Sequence, residues 1–170
     1  MRESDVLVRI QDTLYDAPAA LPVARGLSLF GEHAAGWIAL GAVGAAIDAN
    51  RRGPWLAVTG SAFVSHAASI VIKRVVRRKR PHDSRIRIGV STPSKLSFPS
   101  SHATSTTAAL IAVNRATGSR WPLVGVPVMM LSRMVLGVHY PTDVVAGATL
   151  GAVTADAVCR VVDKRERKNV

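Results

Sequence analysis

The sequence PWLAVTGSAFVSHAASIVI, at residues 54–72, runs for 19 positions without Asp, Glu, Lys or Arg. The basic run KRVVRRKR follows it directly, at residues 73–80. About 20 apolar residues are enough for a helix to cross a bilayer, and basic side chains at its end suit the headgroup region. Pro54 is a favoured residue in a first helical turn. The stretch therefore predicts a membrane-spanning helix that ends in a cluster of cations.

Four further apolar segments accompany this stretch: Leu27–Ile47, His102–Val113, Trp121–Val138 and Pro141–Val162. Hardly any run alternates between apolar and polar residues, so strands are not expected. Small residues that let helices approach closely recur within the segments: Gly41, Gly44, Gly147 and Gly151. We therefore predict an all-α integral membrane bundle of about five transmembrane helices, forming a single domain over residues 1–170. The alternative is a soluble helical bundle.

The N-terminal region is charged and has no apolar core of a secretory signal. Its apolar residues Val6, Leu7, Ile10 and Leu14 fall on one helical face. This pattern predicts an amphipathic helix. Such a helix lies at the membrane interface or packs as an ordinary surface helix on the core.

The charge balance indicates which partners to expect. The chain has 22 basic and 11 acidic residues, a net charge of +11, although 48% of its residues are apolar. Nucleic-acid binding is the first class that such a charge suggests. However, only 5% of the residues are aromatic, which leaves no stacking platform for bases. We predict membrane lipids as partners and no nucleic acid. The single cysteine, Cys159, excludes an internal disulfide.

Three short motifs carry residues suited to phosphate chemistry: Lys73-x6-Arg80-Pro81, Pro99-Ser100-Ser101-His102 and Ser132-Arg133-x5-His139-x3-Asp143. Each has a simpler interpretation when taken alone. A basic run binds headgroups, a serine caps a helix, and a carboxylate in a first turn complements the helix dipole. Together they supply cations that grip phosphate and imidazoles that attack or transfer protons. The polar loop His82–Phe98 between the first two motifs is long enough to indicate a functional role.

In residue type and spacing, these motifs resemble the signature of the type 2 phosphatidic acid phosphatase (PAP2) superfamily. One position departs from the family pattern, because Ser101 stands where glycine is usual. The resemblance implies that His139 is the nucleophile, that Asp143 orients it by accepting its Nδ1–H, and that His102 is the general acid. It implies no metal and no other cofactor. It also implies that phosphate is bound by Lys73, Arg80, Ser100, the amide of Ser101 and Arg133.

The same resemblance implies a lipid phosphate as substrate. Our leading expectation is a polyprenyl-linked phosphosugar of cell-wall synthesis. The alternatives are undecaprenyl pyrophosphate, phosphatidic acid or phosphatidylglycerophosphate, and a non-catalytic membrane assembly partner. Glu32 and His33, inside the first apolar segment, and His66, one heptad before Lys73, are candidate headgroup contacts. For His66, a core histidine with its own partners is the interpretation we favour.

The side of the membrane that holds the motifs stays open. With five spans, all three motifs fall on one face. Apart from the motif cations, that face carries seven basic residues and the opposite face carries eight. The positive-inside rule therefore assigns neither face to the cytoplasm.

Overall fold

The computed structural model describes residues 2–168 and contains seven α-helices. These are α1 (Glu3–Leu14), α2 (Ala20–Gly31), α3 (Ala35–Ile47), α4 (Arg52–Val76), α5 (Ser101–Thr117), α6 (Gly125–Val135) and α7 (Pro141–Glu166). Short 3-10 turns cover Glu32–Ala34, Ala49–Arg51 and Trp121–Val124. Within residues 2–168 there is no strand, only an isolated antiparallel bridge between Lys79 and Leu96. The all-α prediction is confirmed.

Helices α4, α5 and α7 pack on one another and form the centre of the bundle. The glycines of α7 allow the backbones to approach closely. A Cβ at Gly147 would lie 2.7 Å from the Ser100 carbonyl oxygen, and one at Gly151 would lie 2.3 Å from that of Thr104. On the other side of α4, Gly41 of α3 leaves equally little room beside Thr59. The predicted role of the small residues in helix packing is confirmed.

Two helical stretches of residues 2–168 are long and apolar enough to cross a membrane. They are Ala49–Val76 and Pro141–Glu166. Their outward-facing side chains are apolar: Phe63 is 62% exposed, Val75 75% and Val153 64%. Water would solvate such a surface poorly, whereas lipid tails match it. These helices indicate a membrane protein, and the prediction of α4 and α7 from the sequence is confirmed.

Two other predicted segments differ from the structure. Leu27–Ile47 is not one helix, because α2 ends at Gly31 and α3 begins at Ala35. His33 and Ala34 between them adopt left-handed conformations, with φ of 51° and 59°. Hydropathy cannot reveal such a break, since left-handed residues other than glycine are held by tertiary contacts. Trp121–Val138 is also divided, because its α-helix starts at Gly125 and ends at Val135.

The predicted N-terminal helix is present and packs on the bundle. Of the predicted apolar face, Leu7 is fully buried, and Gln11 beside it is 2% exposed. The Gln11 side-chain amide donates to the carbonyl oxygens of Arg87 (2.7 Å) and Val135 (2.8 Å). Helix α1 therefore packs at the end of the bundle where α6 ends. Its contact with the membrane surface stays a prediction.

Candidate active site

A cavity of about 410 Å³ opens at the end of the bundle where α4 and α6 terminate and α5 begins. Its walls come from α2 and the 3-10 turn after it, from α4, α5 and α6, from the loop after α4 and from the turn before α7. It brings together nine of the eleven side chains singled out in the sequence: Glu32, His33, His66, Lys73, Arg80, Ser101, His102, Arg133 and His139. Ser100 and Asp143 lie behind the wall, each fully buried.

Lys73 and Arg80 form one side of the cavity. Lys73 lies in the last turn of α4 and is 9% exposed, with Nζ 3.5 Å from the Leu96 carbonyl oxygen. The loop fixes Arg80, whose Nε donates to the Ser94 carbonyl (2.8 Å) and whose Nη1 donates to the Val138 carbonyl (2.7 Å). Burial lowers the pKa of Arg80 to about 10, and the charge of Asp143 opposes that shift. Arg80 is therefore a fixed cation at neutral pH.

Arg133 is the most deeply buried cation of the site, at 1% exposed. Its Nε and Nη1 have no hydrogen-bond partner among residues 2–168. A buried guanidinium without a partner destabilises a fold, so its presence needs a functional reason. An anion bound in the cavity would supply acceptors that the protein does not.

His139 sits in the turn between α6 and α7, at 2% exposed. Gly137 makes the turn with a φ of 69°, and a Cβ there would lie 2.4 Å from the Arg87 carbonyl oxygen. Nε2 of His139 is 3.3 Å from Nη1 of Arg80. Because a guanidinium only donates, Nε2 carries the lone pair and Nδ1 the proton.

The His139 ring is held neutral. Burial lowers its pKa well below 6.5, and the charges of Arg80, Arg133 and Lys73 lower it further. A neutral imidazole with its Nε2 lone pair at the cavity wall is a competent nucleophile at neutral pH.

Asp143 does not make the predicted hydrogen bond to His139. Its Oδ2 is 3.7 Å from Nδ1 of His139, too long for a hydrogen bond, and that Nδ1 has no partner among residues 2–168. Oδ2 instead accepts the backbone N–H of Tyr140 at 2.8 Å, and Oδ1 accepts from Arg78 at 2.8 Å. The carboxylate therefore caps α7 and pairs with Arg78, which the sequence motifs did not single out.

The two serines of the second motif have different roles: Ser100 caps a helix, and Ser101 lines the cavity. The Ser100 hydroxyl caps α5 at Ala103 N (3.5 Å), and its backbone N–H donates to the Asp143 carbonyl (3.0 Å). The predicted contact of Ser100 with phosphate therefore has no support from its position. Ser101 does line the cavity. It has an ordinary helical backbone, so the serine in place of glycine causes no strain.

His102 is oriented by the C-terminal turn of α2, which sequence reasoning missed. Its Nε2 is 2.9 Å from the Ser28 carbonyl oxygen, one of the last carbonyls of α2, which lack helical partners. Gly31 makes room for the ring, because a Cβ there would lie 2.7 Å from Cδ2 of His102. An unpaired helix carbonyl and a neighbouring glycine are not distinguishable in sequence from ordinary helix-end features.

The headgroup candidates lie around the same cavity. The rings of His33 and His66 are 6.0 Å apart between centroids, and Glu32 Oε1 is 4.0 Å from His33 Nε2. Two exposed cations that sequence reasoning did not select, Arg25 and Arg74, also line the cavity. Among residues 2–168 its lining holds five Lys or Arg side chains and one carboxylate.

The sequence model of the PAP2 superfamily matches residues 54–167. A decaprenylphosphoryl-5-phosphoribose phosphatase of Mycobacterium tuberculosis (strain H37Rv) is 52% identical over 165 residues, 97% of this chain and 93% of that protein. A protein of the same name from Mycolicibacterium smegmatis is 57% identical over 145 residues, 85% of this chain and 81% of that protein. No solved structure matches the chain.

Proposed function

Because this chain belongs to the PAP2 superfamily, we propose that it is a membrane lipid phosphatase that hydrolyses the 5-phosphate of decaprenylphosphoryl-5-phosphoribose. The observation that carries the proposal is the convergence of Lys73, Arg80 and Arg133 on His139 and His102 in one cavity. The relatives at 52% and 57% identity support the choice of substrate. The product, decaprenylphosphoryl-ribose, would serve cell-wall synthesis.

The first half of the reaction forms a phosphohistidine. Nε2 of His139 attacks phosphorus in line, and the bond from phosphorus to the ribose 5-oxygen breaks. His102, protonated beside the dianionic substrate, gives its proton to that oxygen. Lys73, Arg80 and Arg133 stabilise the charge on the three equatorial oxygens.

The second half hydrolyses the intermediate. His102, now neutral, accepts a proton from water, and the resulting hydroxide equivalent attacks the phosphoryl group. The bond from phosphorus to Nε2 breaks, inorganic phosphate leaves, and His139 regains its lone pair. The proton on Nδ1 of His139 stays in place throughout, next to the Asp143 carboxylate.

For the membrane arrangement we propose a multi-pass bundle. Helices α4 and α7 span fully, and α3, α5 and α6 cross beside them as shorter segments, which gives five spans. The burial of α5 among α4, α6 and α7 supports this, because non-helical backbone that continues a short span is tolerated at membrane depth where protein covers it. Helices α1 and α2 then lie at the end that holds the cavity.

The charge of the cavity matches a substrate with two phosphoryl groups. Lys73, Arg80 and Arg133 surround the nucleophile and would hold the reacting 5-phosphate. Arg25 and Arg74 are exposed and would meet the phosphodiester that joins ribose to the decaprenyl chain. A single phosphomonoester such as phosphatidic acid would leave these two arginines without a ligand.

Glu32 provides a test of sugar recognition. We expect Glu32→Ala to raise KM about 10-fold for the phosphoribosyl lipid, because a carboxylate accepts hydrogen bonds from ribose hydroxyls. KM for undecaprenyl pyrophosphate should stay the same or fall, because Glu32 repels additional negative charge. Initial rates of phosphate release with both lipids measure this. Glu166→Ala, at the far end of α7, is the matched control, and equal effects of Glu32→Ala on both lipids would refute sugar recognition.

Metal independence is a further expected result. Activity should persist in excess EDTA, because Lys73, Arg80 and Arg133 supply the positive charge that Mg²⁺ provides in other phosphoryl-transfer enzymes. Phosphate release is measured with and without chelator. Loss of activity that added Mg²⁺ restores would contradict the mechanism.

A substrate panel tests the proposed function itself. Purified protein in detergent is given the phosphoribosyl polyprenyl lipid, undecaprenyl pyrophosphate, phosphatidic acid and phosphatidylglycerophosphate, and kcat/KM is compared. We expect the highest value for the phosphoribosyl lipid. A higher value for undecaprenyl pyrophosphate would favour that phosphatase instead, and no release from any lipid would favour a non-catalytic membrane protein.

A further inference from the structure

We propose that Glu3, on the N-terminal helix, positions the nucleophilic histidine through Arg78 and Asp143. The inference rests on the proposed function, since it concerns the residue that attacks phosphorus. Glu3 and helix α1 lie outside the part of the chain that matches the PAP2 superfamily, residues 54–167. Glu3 contacts Arg78, 75 positions later in the sequence, and Thr142 at the start of α7, 139 positions later.

The geometry links the four residues in order. Glu3 Oε2 contacts Nη2 of Arg78 as an ion pair. Nη1 of Arg78 donates to Oδ1 of Asp143 at 2.8 Å. The other oxygen of Asp143 lies 3.7 Å from Nδ1 of His139. The guanidinium is further fixed by stacking 4.2 Å over the ring of Tyr140.

Glu3 also holds the start of helix α7. Its Oε1 accepts the backbone N–H of Thr142 at 3.0 Å and the Thr142 hydroxyl at 2.7 Å. Gln11, two turns along α1, binds the Val135 carbonyl at the end of α6. A Cβ at Gly137 would lie 3.0 Å from its Nε2. Helix α1 therefore holds both ends of the turn that carries His139.

The charges explain why a carboxylate is needed at residue 3. Attack on phosphorus places positive charge on the His139 ring, and the Asp143 carboxylate stabilises it. Arg78 alone would neutralise Asp143 and draw it away from the ring. With Glu3 present, Arg78 is shared between two carboxylates, and the three groups keep a net charge of −1 beside Nδ1.

Partial exposure limits the size of the effect. The side chains of Glu3 and Arg78 are 33% and 29% exposed, so solvent screens their interaction. We expect Glu3→Gln to lower kcat about 10-fold, far less than loss of the nucleophile itself. KM should change less than about 2-fold, because neither residue lines the cavity.

Glu3→Gln separates charge from helix capping. The glutamine amide oxygen still accepts from Thr142, so the start of α7 keeps its cap while the negative charge is lost. The matched control is Asp5→Asn, which removes a carboxylate from the same helix that pairs with Arg85 at 2.9 Å, away from Asp143. This control should keep the kcat of the unmodified protein.

The experiment measures kcat and KM for the phosphoribosyl lipid in detergent, with Tm as a check on folding. The variants are Glu3→Gln, Arg78→Gln, the double variant and Asp5→Asn. We expect the double variant to match Arg78→Gln, because Glu3 acts through Arg78. Unchanged kcat in Glu3→Gln, an effect on KM alone, or losses that multiply in the double variant would overturn the inference. No phosphate release by the unmodified protein from any lipid of the panel would instead overturn the proposed function, and the inference with it.

Discussion

Replacing His139 by Ala is expected to abolish phosphate release, with kcat reduced about 10⁴-fold or more. Among the described side chains that line the cavity, no other is a buried, neutral imidazole whose Nε2 faces Arg80. Without Nε2 no phosphoenzyme can form, and the two-step route is lost. Substrate should still bind, because Lys73 and Arg133 remain. Phosphate release and lipid binding by the variant measure the two effects separately.

His82→Ala is the control for this variant. His82 is an exposed histidine of the loop after α4 and does not line the cavity. It should keep the activity of the unmodified protein. Appreciable turnover by the His139 variant would show that another group attacks phosphorus.

Replacing Arg133 by Gln is expected to lower kcat/KM about 10³-fold, the scale of losing a preorganised donor to a developing anion. The reason is the position of its guanidinium, 1% exposed with two nitrogens unpaired among residues 2–168. Arg133→Lys should recover part of the loss, because it restores the charge without the planar fork. Steady-state kinetics on the phosphoribosyl lipid measure both variants.

The same substitution should not destabilise the fold. An unpaired buried charge opposes folding, so its removal should leave Tm unchanged or raise it. Arg115→Gln is the control, because Arg115 pairs with Asp156 at 2.7 Å away from the cavity and should not affect kcat/KM. A large fall in Tm for Arg133→Gln would show that Arg133 holds the fold together rather than binding phosphate.

The long helices could be predicted because their signals are local. Residues 54–72 lack Asp, Glu, Lys and Arg, and Pro141 is the first residue of α7. The break between α2 and α3 could not be predicted. It depends on left-handed backbone at His33 and Ala34, which hydropathy does not encode.

The site, too, could be predicted only where neighbouring residues in the sequence determine it. The motif spacings place Lys73, His102 and Arg133 at helix ends that meet at one end of the bundle, and the cavity contains all three. The partner of Asp143 could not be found in this way. The run at residues 73–80 contains six basic residues, and nothing local distinguishes Arg78, whose role depends on Glu3 more than 70 positions earlier.

Covalent labelling of His139 tests the central claim most directly. The phosphoribosyl polyprenyl lipid, carrying ³²P in its 5-phosphate, is mixed with the protein, and the reaction is quenched in alkali, where phosphohistidine survives. We predict label on the peptide that contains His139, and none in His139→Ala. Rapid release of labelled phosphate with no label on the protein, or label on a different residue, would contradict the account.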